Sequence, residues 1–296
     1  MSEFKAWMRD VQSRTEDTLS AVLPPANHLP ARLHDAMRYA VLDGGKRVRP
    51  LLAFAAGELT GADPRRLAYA GAAVELIHAY SLVHDDMPPM DNDVLRRGKP
   101  TVHVQYDEAT ALLAGDALQT AAFEVLSQQV LADDVAVQLK MVGILARAAG
   151  SNGMCGGQGI DLYSVGHTLS LPALEMMHIL KTGALIRAAV LLGVHCGQPL
   201  GDAELERVDH FAKCMGLAFQ VVDDILDEEA DTATLGKTAG KDAANNKPTY
   251  VALLGMAGAK QKAAELQAEA HAALAPFGDR ARRLAELADY IVARNN

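Results

Sequence analysis

The stretch LAYAGAAVELIHAYSLVHDDMPPMD, residues 67–91, decides the fold. Its apolar residues recur at helical steps as far as His84, and then four carboxylates, Asp85, Asp86, Asp91 and Asp93, crowd one end. Prolines 88 and 89 must break the helix there, which lets Asp91 fold back toward the first pair. Carboxylates packed this closely repel one another unless a cation sits among them. Hard oxygen donors of this kind suit Mg2+, which commonly completes its shell with phosphate oxygens. The plainer alternative is a solvated acidic helix end, the reading that fits Asp133-Asp134.

Outward from this stretch the helical period continues: Phe4, Met8 and Val11; Leu112, Leu113, Leu118, Phe123 and Leu126; Leu205, Val208, Phe211 and Met215. No segment reads convincingly as a strand. Hydrophobic residues make up 50% of the 296 positions while aromatics make up only 5%, so alanine-rich helices can approach closely. The expectation is an all-α bundle forming a single domain over 1–296, because no stretch has linker composition. Helix boundaries are expected at Pro24-Pro25, Gly44-Gly45, Pro50, Pro64 and Pro172, with a helix from about 202 to 228 before a polar stretch.

The 28 Lys and Arg against 37 Asp and Glu leave a net charge of -9, which argues against general attraction to nucleic acid or anionic lipid. Any anion must therefore meet a local basic cluster. Three scattered cysteines without CxxC spacing fit buried thiols in a reducing compartment. The N-terminus alternates charge with apolar residues, as an amphipathic helix does, so a cytoplasmic protein is expected. Glu75, His78 and Arg187 interrupt the longest apolar runs, and no transmembrane helix is expected.

A second acidic cluster, VVDDILDEE, places Asp223 and Asp227 four residues apart on one helix face with Asp224 beside them. Two acidic triads at apolar helix ends are hard to explain as surface. Facing each other, they could hold several Mg2+ ions around one diphosphate. Gln220 lies one turn before Asp224. The anion side stands in GGKRVRP (Gly45, Lys46, Arg47, Arg49) and LRRGKP (Arg96, Arg97, Lys99), both beside helix termini where backbone N–H groups help bind phosphate. His78 precedes Asp85 by two turns. Lys181-Thr182-Gly183 interrupts an apolar helix, either as a simple kink or as a polar site. Lys237, Lys241 and Lys247 are flexible cations suited to closing over phosphate. Gly156, Gly157, Gln158 and Asp161 read equally well as a helix bend.

Taken together, HDDMPPMD, DDILD, GGKRVRP, LRRGKP, KTG and GGQxxDL stand in an order and spacing that resembles the trans-prenyltransferases, the short-chain polyprenyl diphosphate synthases, over nearly the whole chain. The two extra residues inside the first motif resemble the bacterial branch that makes a C15 product. The resemblance implies a class I isoprenoid synthase fold with a deep central pocket, and a homodimer. It implies that Asp85, Asp86, Asp91, Asp223, Asp224 and Asp227 hold a trio of Mg2+ ions bridged to an allylic diphosphate. Arg96, Lys181 and Lys237 would contact that diphosphate, and Lys247 would help close the site. Gly45, Lys46, Arg49, His78 and Arg97 would hold isopentenyl diphosphate, and Thr182 and Gln220 would face the reacting carbon. The residues just before the first acidic motif, Tyr80 and Ser81, would form the floor that sets product length. A longer-chain product, such as the C20 diphosphate, is the alternative. A terpene cyclase would use a different second metal motif and more aromatics than a chain with Trp7 alone, and a noncatalytic partner subunit could lose its acids.

Overall fold

The computed structural model describes residues 2–42, 44–167, 169–229 and 249–294. The helices are α1 (Glu3–Val22), α2 (Ala31–Val41), α3 (Val48–Leu59), α4 (Pro64–Asp85), α5 (Val102–Gln105), α6 (Glu108–Gln128), α7 (Val135–Ala149), α8 (Met154–Ser164), α9 (Leu171–His178), α10 (Ala184–His195), α11 (Asp202–Glu229), α12 (Tyr250–Leu274) and α13 (Arg282–Ala293). Several starts, those of α4, α6 and α12 among them, fall where a side chain satisfies one of the first free N–H groups. Asp63 accepts from Arg65 N ahead of Pro64, Asp107 accepts from Thr110 N, and Thr249 accepts from Ala252 N.

One contiguous apolar core runs from Met8 on α1 to Ile291 on α13. Helix α4 lies at its centre, with Ala70, Ala72, Ala73, Val74, Leu76 and Ile77 fully buried. Its small residues permit close approach by α3 and α6. The ends of α4 and α11 therefore stand on rigid, buried supports.

Two features differ from the sequence expectation. A short antiparallel pair, β1 (Leu95–Arg96) with β2 (Lys99–Pro100), stands where no strand is expected. Arg97 (φ 54) and Gly98 (φ 75) form its left-handed turn, a geometry that matches hairpin twist and is invisible to hydrophobic periodicity. The run Leu171–His195 is long and apolar enough to cross a bilayer by length and composition, Arg187 notwithstanding, but 67% of its apolar window is buried inside the fold, as in a core helix. Between α9 and α10 this run passes through a π-helical turn, Ile179–Gly183, rather than a simple kink.

Arg47 separates from its basic neighbours. It takes a left-handed φ of 51° and is buried, with Nη1 donating to Glu75 Oε1 at 2.8 Å and Nη2 to Glu16 Oε2 at 2.7 Å. It ties α1 and α4 to the start of α3. Replacing Arg47 by Met should strand Glu75, whose side chain is only 4% exposed, and lower unfolding free energy by about 3–5 kcal/mol in urea titrations. A loss below about 1 kcal/mol would show that Glu75 finds another partner.

Candidate active site

At the end of α4 the chain reverses as the two prolines require. Asp91 N donates to the carbonyl of Asp85 at 2.8 Å and Asp93 N to that of Asp86 at 3.1 Å, which folds Asp91 back beside the pair. Asp85 and Asp86 are buried, and desolvation pushes both carboxyls above their usual range; Asp91 raises Asp85 further. Arg96 grips Asp86 through Nε at 2.8 Å and Nη2 at 2.6 Å, yet burial still dominates. On α11, Asp224 and Asp227 are buried and Asp223 is partly exposed.

A cleft of about 810 Å3 lies between these helix ends, with Asp86, Asp223 and Asp227 on its wall. Gly45, Lys46, Arg49, His78, Arg96 and Arg97 line it as well. Asp223 and Asp227 of the second triad therefore share one space with the basic motifs. Gly45 sits at φ 105, and a Cβ there would meet Arg97 Nη1 at 2.8 Å, so only glycine admits the guanidinium, which donates to the Gly44 carbonyl at 3.1 Å.

The cations of this cleft are under strain of their own. Partial desolvation in the cleft lowers the pKa of Arg49, and that of Arg97 and Lys46 although both reach solvent. The buried Nε of Arg49 has no hydrogen-bond partner among the described residues. A buried donor of this kind costs about 1–3 kcal/mol unless something accepts from it, and an anion in the cleft would do so. His78 is enclosed, and desolvation together with Arg49, Arg97, Arg96 and Arg47 holds its pKa well below the usual value. It is a neutral imidazole near pH 7.

Asp85 and Asp224, by contrast, belong to a polar chain that runs beside the cleft. Gln158 Nε2 donates to Asp85 Oδ1 at 2.8 Å, and one turn along α8 Asp161 Oδ2 accepts from Lys181 Nζ at 2.6 Å. Thr182 Oγ1 donates to Gln220 Oε1 at 2.9 Å, and Asp224 Oδ2 accepts from Tyr250 N at 2.7 Å. Gln220 Nε2 approaches Asp224 Oδ1 at 3.4 Å. A Cβ on Gly157 would stand 2.1 Å from Lys181 N, so glycine lets α8 touch the π turn. The motif GGQxxDL, ambiguous as sequence, thus fastens the first acidic cluster to Lys181.

Sequence reasoning missed Arg294, which lines the cleft, donates to Asp223 Oδ1 at 2.7 Å and stacks on Phe219 at 3.8 Å. A lone arginine at a helix end carries no signal in sequence; only the fold brings α13 to α11. Tyr80 and Ser81 do not line this cleft. Both are buried: Tyr80 meets His84 edge-on with centroids 5.8 Å apart, and Ser81 Oγ donates to the His78 carbonyl at 2.8 Å. Nor does the cleft wall include Lys181, Thr182 or Gln220. Lys237, Lys241 and Lys247 lie outside the described residues.

The chain is similar in sequence and fold to known proteins. The polyprenyl synthetase family model matches residues 30–276. The farnesyl diphosphate synthase of Haemophilus influenzae is 48% identical over 301 residues, covering 100% of both chains. The apo FPP/GFPP synthase of Zymomonas mobilis superposes with a TM-score of 0.88 at 41% identity, covering 98% of this chain and 99% of its own. A Helicobacter pylori geranyltransferase complexed with magnesium and isoprenyl diphosphate gives 0.85 at 33% identity, covering 99% and 97%. The chain belongs to the polyprenyl synthetase family, with the all-α class I isoprenoid synthase fold.

A pH dependence follows from His78. Its pKa is depressed on folding, so the unfolded chain takes up a proton near pH 6.5 while the folded chain stays neutral. Stability is therefore full above that pH and falls as pH drops below it, by up to about 1.4 kcal/mol per unit. His78→Gln should remove that contribution, so the difference in unfolding free energy between wild type and variant should change between about pH 7.5 and about pH 5.5. A constant difference across the window would show that His78 titrates normally.

Proposed function

We propose that the chain is a trans-prenyltransferase that condenses isopentenyl diphosphate with dimethylallyl or geranyl diphosphate to give (2E,6E)-farnesyl diphosphate. The carrying observation is the cleft in which carboxylates from the ends of α4 and α11 face desolvated cations, with the Arg49 Nε buried and without a partner among the described residues. Relatives named farnesyl diphosphate synthase over the full length support the C15 product. One domain is the simplest reading of the single contiguous core.

The donor set fits Mg2+. Asp85, Asp86, Asp91, Asp223, Asp224 and Asp227 offer only hard carboxylate oxygens, and Asp85 and Asp86 are raised by burial that a divalent ion would offset. A trio of Mg2+ ions held by these residues would supply Lewis-acid stabilisation of the leaving diphosphate.

The remaining steps belong to the protein. Arg96, Lys181 and Lys237 stabilise the negative charge that develops when the allylic C–O bond breaks. Thr182 and Gln220 present oxygen dipoles to the carbocation without attacking it, and the apolar surroundings exclude water. Lys46, Arg49, Arg97 and neutral His78 hold the second diphosphate, with Gly45 giving close backbone access. The double bond of isopentenyl diphosphate attacks the cation, a new C–C bond forms, and the proton lost from the adduct passes to the departing diphosphate. Arg96 is paired with Asp86 and Lys181 with Asp161, which holds both cations near the acidic motifs.

A homodimer accounts for exposed apolar side chains along α6 and α7, including Leu113 at 54% and Val135 at 83%. Cys196 and Cys214 are buried as expected, whereas Cys155 is exposed at the start of α8; all three are free thiols, which accords with a cytoplasmic enzyme.

Radiolabelled isopentenyl diphosphate with geranyl diphosphate and Mg2+ should yield a C15 diphosphate; product stopping at C20 would favour the longer-chain alternative. In the same assay Asp85→Ala and Asp223→Ala should lose turnover by about 10²-fold or more with an unchanged helical circular-dichroism spectrum. Near-normal rates at saturating Mg2+ would remove the metal assignment.

Product length provides a separate test of Tyr80 and Ser81. As the pocket floor, Tyr80→Ala should lengthen the product toward C20, and Ser81→Phe should shorten it toward C10. A C15 product from both would place the floor elsewhere.

A further inference from the structure

Away from the cleft, the contact between α11 and α12 carries a cluster that prenyl transfer does not use. His210 and Cys214 stand four residues apart on α11, so they share the face that meets Glu269 on α12. Cys214 Sγ lies 3.6 Å from His210 Nε2 and 3.7 Å from Glu269 Oε2, and His210 Nε2 lies 3.8 Å from the same oxygen. The three atoms mark a nearly equilateral triangle.

That triangle has the size of one face of a tetrahedral zinc site. With Zn–S near 2.3 Å and Zn–N and Zn–O near 2.0–2.1 Å, tetrahedral angles put neighbouring ligand atoms about 3.3–3.6 Å apart. The observed edges exceed this by a few tenths of an ångström, which side-chain rotation can close. A hydrogen-bonded thiol explains the contacts to Cys214 but not the convergence of three different donors.

The donor chemistry also selects the ion. One thiol, one imidazole and one carboxylate favour Zn2+ over Mg2+, which prefers oxygen alone. Cys214 is buried, while His210 and Glu269 have side chains 54% and 58% exposed. They open onto a surface cavity of about 440 Å3 that Glu206, one turn before His210, also lines. An ion therefore has an entry path, and a water or Glu206 can complete its shell.

We propose that His210, Cys214 and Glu269 form a Zn2+ site that staples α11 to α12. Binding converts the Cys214 thiol to a zinc thiolate and releases one proton to solvent. The staple lies on the same helix as Asp223, Asp224 and Asp227 but touches none of them, so it stabilises the helix pair that presents the second acidic motif.

Co2+ titrated into the full-length protein, with excess Mg2+ present to occupy the carboxylate sites, tests this directly. A thiolate-to-cobalt charge-transfer band should rise to a single equivalent in wild type and in Cys155→Ser, and Zn2+ should bleach it. Cys214→Ser should abolish the band while keeping its circular-dichroism spectrum and Mg2+-supported turnover. His210→Ala and Glu269→Gln should weaken binding by at least about tenfold. Zn2+ should raise the melting temperature of wild type and leave that of Cys214→Ser unmoved. Absence of the band in wild type, or its survival in Cys214→Ser, would overturn the assignment.

Discussion

Carboxylates withdrawn from water at the ends of two apolar helices are the constraint on which the rest of this structure depends. A charge leaves water only if it is protonated, paired or coordinated. Arg96 answers Asp86 and Arg294 answers Asp223; Gln158 donates to Asp85, whose carboxyl the nearby Lys181 also favours in its charged form, and Tyr250 N donates to Asp224. The helices tolerate this because their stems are locked in the core, so the local cost is offset by apolar burial elsewhere.

The basic residues divide by the same logic. Arg47 is matched by Glu16 and Glu75 and serves as a structural tie. Arg49 is a largely desolvated cation whose pKa is pushed down, poised to gain from any anion that enters, and Arg97 stands beside it at the solvent-facing side of the cleft. Adjacent residues in one short motif thus differ in role because α3 begins between them, and the helix turns successive side chains to different sides.

Between the two acidic motifs, the contact of α8 with the π turn supplies mechanical continuity. Asp85 and Lys181 are held one helical turn apart on α8, through Gln158 and Asp161, and Thr182 passes the connection to Gln220 on α11. Lys181 and Thr182 both lie within the π turn, a rare element that is frequent at functional sites. A position that looks like a local defect is therefore the point where the two halves of the site meet.

The helical class, the acidic triads and the basic motifs were legible in the sequence because each is a local pattern: a 3.6-residue period, a proline break, a run of like charges. The fold-back of Asp91 followed from Pro88 and Pro89 in the same way. Tertiary structure alone decided which arginine is structural, that Gln158 and Asp161 grip Asp85 and Lys181, and that Arg294 reaches Asp223 from the far end of the chain. It alone brought Glu269 to His210 and Cys214. Those outcomes depend on which helix faces pack together, and a pairing between residues distant in sequence leaves no periodic mark on either strand of the chain that makes it.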